Sequence, residues 1–176
     1  MRKASALVLA MSLIAASAAW AGDGQKSDTT LTASVKSALI SNKATKASQI
    51  NVETADGVVQ LSGFVDSAAA KEAAVTTAKN VAGVKDVQNK LLIRDANRST
   101  GEAVDDTVIA AKLKAEIAGK AGLGTATDVN VEVNSGVVEL SGFVPTAEQK
   151  MKAGEIARSI NGVKDVKNNI ELKAKS

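Results

Sequence analysis

The amino-acid sequence predicts an α+β fold made of two tandem αββαβ units, each with a three-stranded mixed sheet covered by two helices. The main observation is a duplication, because residues 58–65 read VVQLSGFV and residues 137–144 read VVELSGFV, 79 positions later. The same offset relates two pairs of shorter segments, NVE (51–53 and 130–132) and GVKDV (83–87 and 162–166). Three repeated blocks in one register indicate a duplicated folding unit, and the long period favours two small domains over a solenoid.

Residues 1–21 are expected to be a cleaved signal peptide. Basic residues at 2–3 precede the uncharged segment 4–16, and Ala-Trp-Ala at 19–21 suits a signal peptidase. We therefore expect a flexible leader over 22–27 and export from the cytoplasm. A retained membrane anchor is the alternative, which the shortness of the apolar run disfavours. The sequence contains no cysteine, so lipidation of an N-terminal cysteine is not expected.

Charge and composition exclude several classes of protein. Loss of residues 2–3 takes the 22 Lys and Arg residues to 20, against 19 Asp and Glu residues, so the exported chain is nearly neutral and unlike a nucleic-acid-binding protein. There is no histidine or cysteine. Zinc sites built on these residues, and Cys–His or Ser–His–Asp catalysis, are therefore impossible. After the signal peptide the only aromatic residues are Phe64 and Phe143, so the cores must be aliphatic.

Each unit is predicted to open with an amphipathic helix. Asp28 can cap the first helix, and the second is expected to start after Asp105 or Asp106. Apolar residues then recur at i, i+4 and i+8, which gives each helix one buried stripe. The stripes are Leu31, Val35 and Leu39 in the first unit and Ile109, Leu113 and Ile117 in the second.

A β-hairpin is predicted after each opening helix. Apolar and polar residues alternate over 50–54 and 129–133, which is the pattern of a half-buried strand. Asp56-Gly57 and the Asn-Ser-Gly sequence at 134–136 are hairpin turns, because their residues tolerate positive φ. The returning strands carry core residues on one face, namely Val59, Leu61 and Val65, then Val138, Leu140 and Val144.

An Ala-rich helix is predicted next in each unit, over 67–81 and over 146–160. Gly83 and Gly162 are expected to stop these helices, since a left-handed C′ position favours glycine. Pro145 lies just before the second of them, where a missing N–H does little harm.

An alternating strand is predicted to close each unit, over 87–93 and over 166–172. The short polar segment 95–104 reads as a linker. The predicted domains are therefore residues 28–94 and 105–173.

The repeated motifs resemble those of the BON domain family. V-x-L-S-G stands at 59–63 and 138–142, and each copy is followed, at 83–89 and 162–168, by G-V-x-x-V-x-N. The resemblance covers nearly all of residues 28–173. It implies an αββαβ fold in each unit, no enzymatic activity and no cofactor or metal. It also implies a periplasmic envelope protein with affinity for phospholipid surfaces.

This resemblance implies two functions, and a third is an alternative. The first is osmotic and envelope-stress protection through weak binding to anionic phospholipids. The second is chaperone-like binding of unfolded outer-membrane or secreted proteins. The third alternative is a structural module that self-assembles. None of these functions involves nucleic acid or a small-molecule substrate.

Candidate binding residues lie in the second opening helix and in the repeated strands. Lys112, Lys114 and Lys120 are candidates for contact with anionic head groups, although they equally suit a solvated helix face. Phe64 and Phe143 are candidate hydrophobic anchors for a partner. Packing under the linker or between the domains suits them equally well.

The repeated motifs also contain glycines that are candidates for a ligand or a structural role. Gly63 and Gly142 could let a ligand approach the backbone, but close packing of the Ala-rich helix is the favoured interpretation. Gly83 and Gly162 are assigned only the structural role of stopping the Ala-rich helices.

Overall fold

A computed structural model describes residues 27–97, 99–120 and 129–173 and confirms the α+β fold with two αββαβ repeats. The predicted signal peptide and all but the last residue of the predicted leader lie outside these residues.

The first repeat contains the predicted helices and strands, with its second and last strands each split in two. In chain order its elements are α1 (Asp28–Ser41), a short 3₁₀ helix (Ala47–Gln49), β1 (Asn51–Ala55), β2 (Val58–Ser62), β3 (Phe64–Val65), α2 (Ala68–Lys79), β4 (Asp86–Asn89) and β5 (Leu92–Ile93). Strand β2 is antiparallel to β1 and parallel to β4, and β3 is parallel to β5. The sheet is therefore mixed, as predicted.

The second repeat has the same topology. Its elements are α3 (Thr100–Lys120), β6 (Val129–Asn134), β7 (Val137–Val144), α4 (Ala147–Ser159), β8 (Asp165–Asn168) and β9 (Glu171–Leu172). Strand β7 is antiparallel to β6 and parallel to both β8 and β9.

Each repeat buries its own aliphatic core between its helices and one face of its sheet. The predicted stripes of the opening helices are all buried. Small Ala74 and Ala78 of α2, and Ala153 and Ala157 of α4, let these helices lie close to the strands. Leu91 and Ile170 complete the two cores.

The opening helix of each repeat is tied to the tip of its own hairpin. Ser27, not Asp28, caps α1 through a bond from the Thr30 N–H. The Asp28 carboxylate instead accepts the N–H groups of Asp56 and Gly57, at 2.8 and 2.9 Å. Asp106 does the same for the turn of the second repeat. Asp56 and Ser135 have positive φ, as the turn sequences predict.

Helix α3 begins earlier than the sequence analysis expects. It starts at Thr100, within the segment 95–104 that was predicted to be a linker, rather than after Asp105 or Asp106. The Ser99 hydroxyl accepts the Glu102 N–H, and the Glu102 carboxylate accepts the Ser99 N–H. This reciprocal pair is a capping box, which supplies a helix start at Ser99.

The closing strands and the turns that contain Gly83 and Gly162 also differ in detail from the prediction. Each closing strand is interrupted, because the side chains of Asn89 and Asn168 accept the N–H two residues later and bend the chain. The helices end at Lys79 and Ser159, so Gly83 and Gly162 lie in the following turns with φ of 99° and 94°.

Across the described ranges, no helix has both the length and the apolar character needed to span a bilayer.

Candidate functional site

The polar faces of the two sheets pack against each other. Gln60, Ser62, Glu139 and Ser141 alternate with core residues along β2 and β7, a pattern that usually indicates a solvated face. All four are nevertheless buried, and Gln60 and Glu139 are each only 1% exposed. Their partners lie largely in the opposite repeat. This polar contact, here called the interdomain face, is the most distinctive site in the described structure.

The contacts across the interdomain face are reciprocal. Asn51 donates to Glu132 at 3.1 Å, and the equivalent Asn130 donates to Glu53 at 2.9 Å. Residue i of one repeat thus contacts residue j of the other, and j contacts i, as in a two-fold interface. The two repeats are therefore related by a pseudo-two-fold axis through the interdomain face.

The motif glycines donate their N–H groups across this axis. The Gly63 N–H donates to Glu139 Oε2 and the Gly142 N–H donates to Gln60 Oε1, both at 2.7 Å. Their φ angles of 114° and 119° are unfavourable for other residues. A side chain at Gly63 would also collide with the carbonyl oxygen of Gln49. The positive φ and the Gln49 carbonyl oxygen therefore explain why a glycine stands at position 63. The expectation that Gly63 makes room for the Ala-rich helix is wrong.

Two pairs of equivalent residues near the centre of the face differ between the repeats. Gln60 is an amide where Glu139 is a carboxyl group, and Lys90 stands where the second repeat has Asn169. Asn169 bonds to both central residues, since its main-chain carbonyl oxygen accepts from Gln60 Nε2 and its side-chain Nδ2 donates to Glu139 Oε1, each at 3.0 Å. Lys90 forms an ion pair with Glu171 at 3.0 Å, which also joins the two repeats.

Glu139 is the carboxyl group on the interdomain face whose pKa is clearly shifted by its surroundings. Burial raises its pKa to about 7. The nearby Glu132 raises the pKa further, while the hydrogen bonds from Gly63 and Asn169, and the charge of Lys71, act in the opposite direction. A carboxyl group with this pKa changes its charge near neutral pH.

The two candidate phenylalanines lie on the interdomain face. Phe64 and Phe143 continue the alternation of Gln60 and Glu139 along the strands and belong to neither aliphatic core. They are 5% and 7% exposed. Phe64 also lines a groove between the repeats. The role of the two phenylalanines in partner binding stays a prediction.

The three candidate lysines are exposed on α3, away from the interdomain bonds. Lys120 pairs with Glu116 one turn earlier, at 2.5 Å. Lys112 and Lys114 flank an exposed apolar stripe that contains Val104 and Val108, which are 60% and 45% exposed. This stripe is not predicted from the sequence, because Val104 joins the helix only through the earlier start of α3.

The described ranges do not bring carboxylates or other ligands together as a metal site. Among residues 27–97, 99–120 and 129–173, no group of three Asp or Glu side chains could hold a metal ion. One groove of about 470 Å³ lies beside Ile40, and another of about 390 Å³ lies between the repeats, lined by Phe64, Ile93, Asn134 and Lys167 among others.

Sequence reasoning did not find the interdomain face, although a signal for it exists. An alternating strand predicts a solvated polar face, whereas these two strands repeat the same polar residues, Ser62 and Ser141, in register. Identical polar residues at equivalent positions suit a pseudo-symmetric contact better than two independent surfaces.

Comparison with known proteins finds one family and several relatives. The model of the family described as "BON domain" matches residues 27–95 and 105–174. Osmotically-inducible protein Y of Escherichia coli is 40% identical over 147 residues, which are 83% of this chain and 73% of that protein. Outer membrane lipoprotein DolP of Haemophilus influenzae is 34% identical over 143 residues, which are 81% of this chain and 72% of that protein.

Among solved structures, the C-terminal domain of CdsD, a structural protein of the type III secretion system of Chlamydia trachomatis, aligns with a TM-score of 0.30. The identity is 12%, and the alignment covers 82% of this chain and 98% of that one. A similarity this weak supports no inference about function.

Proposed function

Because this chain belongs to the BON domain family, with two copies of the domain, we propose that it is a non-enzymatic periplasmic protein that protects the cell envelope under osmotic stress through weak contact with phospholipids. The similarity to a protein named for osmotic induction and to one named as an outer-membrane lipoprotein supports this proposal. The signal-peptide pattern at residues 1–21 supports export.

The observation that carries the proposal is the outer surface of α3. Val104 and Val108 form an exposed apolar stripe, and Lys112 and Lys114 flank it. An apolar stripe bordered by lysines suits a lipid surface, because apolar groups enter the head-group region while the lysines attract anionic lipids. The equivalent surface of α1 is mostly polar, with Ile40 as its exposed large apolar residue. We therefore assign the lipid contact to the second repeat.

Co-sedimentation with phosphatidylglycerol vesicles tests this assignment. Each well-placed lysine contributes about 1 kcal/mol, so the Lys112→Gln/Lys114→Gln variant should bind about 30-fold more weakly at low salt. Binding of the natural sequence should weaken as salt rises, because the Debye length falls from about 30 Å at 0.01 M to about 3 Å at 1 M.

A matched control removes the same charge from other helices, through Lys36→Gln on α1 and Lys79→Gln on α2. This control should retain vesicle binding. An equal loss in both variants would show that only net charge matters, and absence of binding by the natural sequence at low salt would contradict the lipid function.

A second candidate is chaperone-like binding of unfolded outer-membrane or secreted proteins. The groove beside Ile40 favours this function, because its lining includes the apolar residues Leu39, Ile40, Ala47 and Ile50. The Ile40 side chain is 72% exposed and so open to a partner. Suppressed aggregation of an unfolded outer-membrane protein, reduced in the Ile40→Ser variant, would support this function. An unchanged aggregation curve in the presence of the protein would remove it.

A further inference from the structure

We propose that Glu139 makes the docking of the two repeats sensitive to pH, so that loss of its proton loosens the interdomain face and favours separation of the domains. This inference goes beyond the proposed lipid contact, which lies on α3, and does not depend on it. It rests on the position of Glu139 between the sheets, on its hydrogen bonds, and on the neutral residue that stands at the equivalent position.

Glu139 lies at the centre of the contact, where one of its oxygens accepts from the opposite repeat and the other from its own. Oε2 accepts the Gly63 N–H at 2.7 Å, and Oε1 accepts Asn169 Nδ2 at 3.0 Å. None of the ion pairs of the described residues includes Glu139. A carboxylate buried without a cation is costly, so the docked state favours the neutral form.

The charged groups around Glu139 do not remove this cost. Glu132 of β6 adds negative charge and is bound by Asn51. The charge of Lys71 of α2 lowers the pKa of Glu139, but the Lys71 ammonium group donates to the carbonyl oxygen of Leu91. At the rim of the face, Glu53 is bound by Asn130, and Lys90 is paired with Glu171.

The hydrogen bonds can serve both protonation states. Asn169 carries both an amide donor and a carbonyl acceptor on its side chain. Its Nδ2 serves the carboxylate, and rotation of the amide would present Oδ1 to a protonated Glu139. Gln60 shows that a neutral group fits the equivalent position, where it accepts the Gly142 N–H and donates to the main-chain carbonyl oxygen of Asn169.

The direction of the pH effect follows from the raised pKa. Burial holds the pKa of docked Glu139 at about 7, against an ordinary value of 4.5 when it is exposed to water. The docked state therefore binds the proton more tightly, so docking is strongest at low pH and weakens as pH rises through about 7. Between about pH 5.5 and about pH 7.5, these two pKa values correspond to a roughly 20-fold fall in the docking equilibrium constant.

Separation of the repeats would uncover surfaces that the docked chain hides. Phe64 and Phe143, which are buried on the interdomain face, would become exposed together with Gln60, Ser62 and Ser141. The exposed faces would be two mixed polar and apolar sheets, so the pH would control whether the chain presents them.

Amide hydrogen exchange of the whole two-repeat chain tests the proposal. The informative group is the Gly142 N–H, because it bonds to Gln60 rather than to Glu139 and so reports domain separation. Its protection factor, corrected for the intrinsic exchange rate, should fall about 20-fold between about pH 5.5 and about pH 7.5. The Glu139→Gln variant should show no such fall. The Glu132→Gln variant, which alters a neighbouring carboxylate, should keep it.

Three outcomes would overturn the proposal. One is an unchanged Gly142 protection factor in the natural sequence across this pH range. Another is the same fall in the Glu139→Gln variant. The third is an NMR titration of the Glu139 carboxyl group in the natural sequence with a midpoint near the ordinary pKa of 4.5 rather than near 7.

Discussion

The hydroxyl groups of Ser62 and Ser141 share a hydrogen bond of 2.6 Å, although these residues stand 79 positions apart in the chain. They occupy the same position in the two repeats, so the pseudo-two-fold axis passes between them. Both are buried. The bond therefore joins the V-x-L-S-G motif of one repeat to the same motif of the other.

Removal of one of the two serine hydroxyl groups should destabilise the chain by more than half of what removal of both does. Ser62→Ala leaves the Ser141 hydroxyl buried without its partner, so we expect a loss of about 1–3 kcal/mol in the free energy of unfolding. The double variant Ser62→Ala/Ser141→Ala removes both groups and should lose less than the sum of the single variants. Urea unfolding of all four proteins measures this coupling, and strict additivity would contradict a direct bond.

The motif glycine should not tolerate a side chain. Gly63→Ala should destabilise the chain by about 1–3 kcal/mol, because φ is positive there and the new Cβ meets the Gln49 carbonyl oxygen. Gly119→Ala is the control, since it lies in α3 with no atom within 4 Å of a new Cβ, and should stabilise by about 0.5–1 kcal/mol. Equal thermal midpoints for both variants would contradict this account.

The link between each opening helix and its hairpin should depend on one carboxylate. Asp106 is buried and accepts the N–H groups of Ser135 and Gly136 at 2.7 and 2.8 Å. Asp106→Ala leaves these donors without that acceptor, and we expect a loss of about 2–3 kcal/mol in urea unfolding. Asp105→Ala, at the exposed neighbouring position, should change stability by less than about 0.5 kcal/mol. Similar losses at both positions would be incompatible with the proposed link.

Global stability should depend on pH through Glu139. The pKa of Glu139 is raised in the folded chain, so the folded state binds more protons than the unfolded state between about pH 4.5 and about pH 7. The free energy of unfolding should therefore decrease as pH rises through this range, by up to about 3 kcal/mol. The Glu139→Gln variant should lack this decrease, and a natural chain whose stability rises over the same range would contradict it.

The free energy of unfolding should fall with falling pH only at more acidic pH, where other carboxylates become protonated. The pKa of Asp66 is lowered by its bond from Lys46, and that of Asp165 by its bond from Lys167. Such carboxylates stabilise the fold above their unfolded pKa values and lose that effect as pH falls through the folded values. This trend is opposite in sign to that of Glu139.

Much of the fold could be predicted from local patterns. The stripe of Leu31, Val35 and Leu39 has the period of a helix, and the turn at Asp56-Gly57 has its own sequence signature. The early start of α3 was missed, although Ser99 and Glu102 carry the spacing of a capping box. The surrounding polar residues had instead suggested a linker.

The interdomain face could not be derived in the same way. Gln60 and Glu139 alternate with apolar neighbours, and that pattern alone indicates solvent, whereas both residues are buried by the opposite sheet. Their burial depends on how two separate domains dock, which is a tertiary property that strand periodicity does not contain. The apolar stripe of α3 could be found only once Val104 was placed on the helix.

The most direct test of the proposed lipid function is an NMR titration of the isotope-labelled chain with phosphatidylglycerol-containing bicelles at low salt. The account predicts amide shift changes concentrated on the exposed side of α3, around Val104, Val108 and Lys112, with little change on α1. Shift changes confined to α1, or no change at any bicelle concentration, would contradict it.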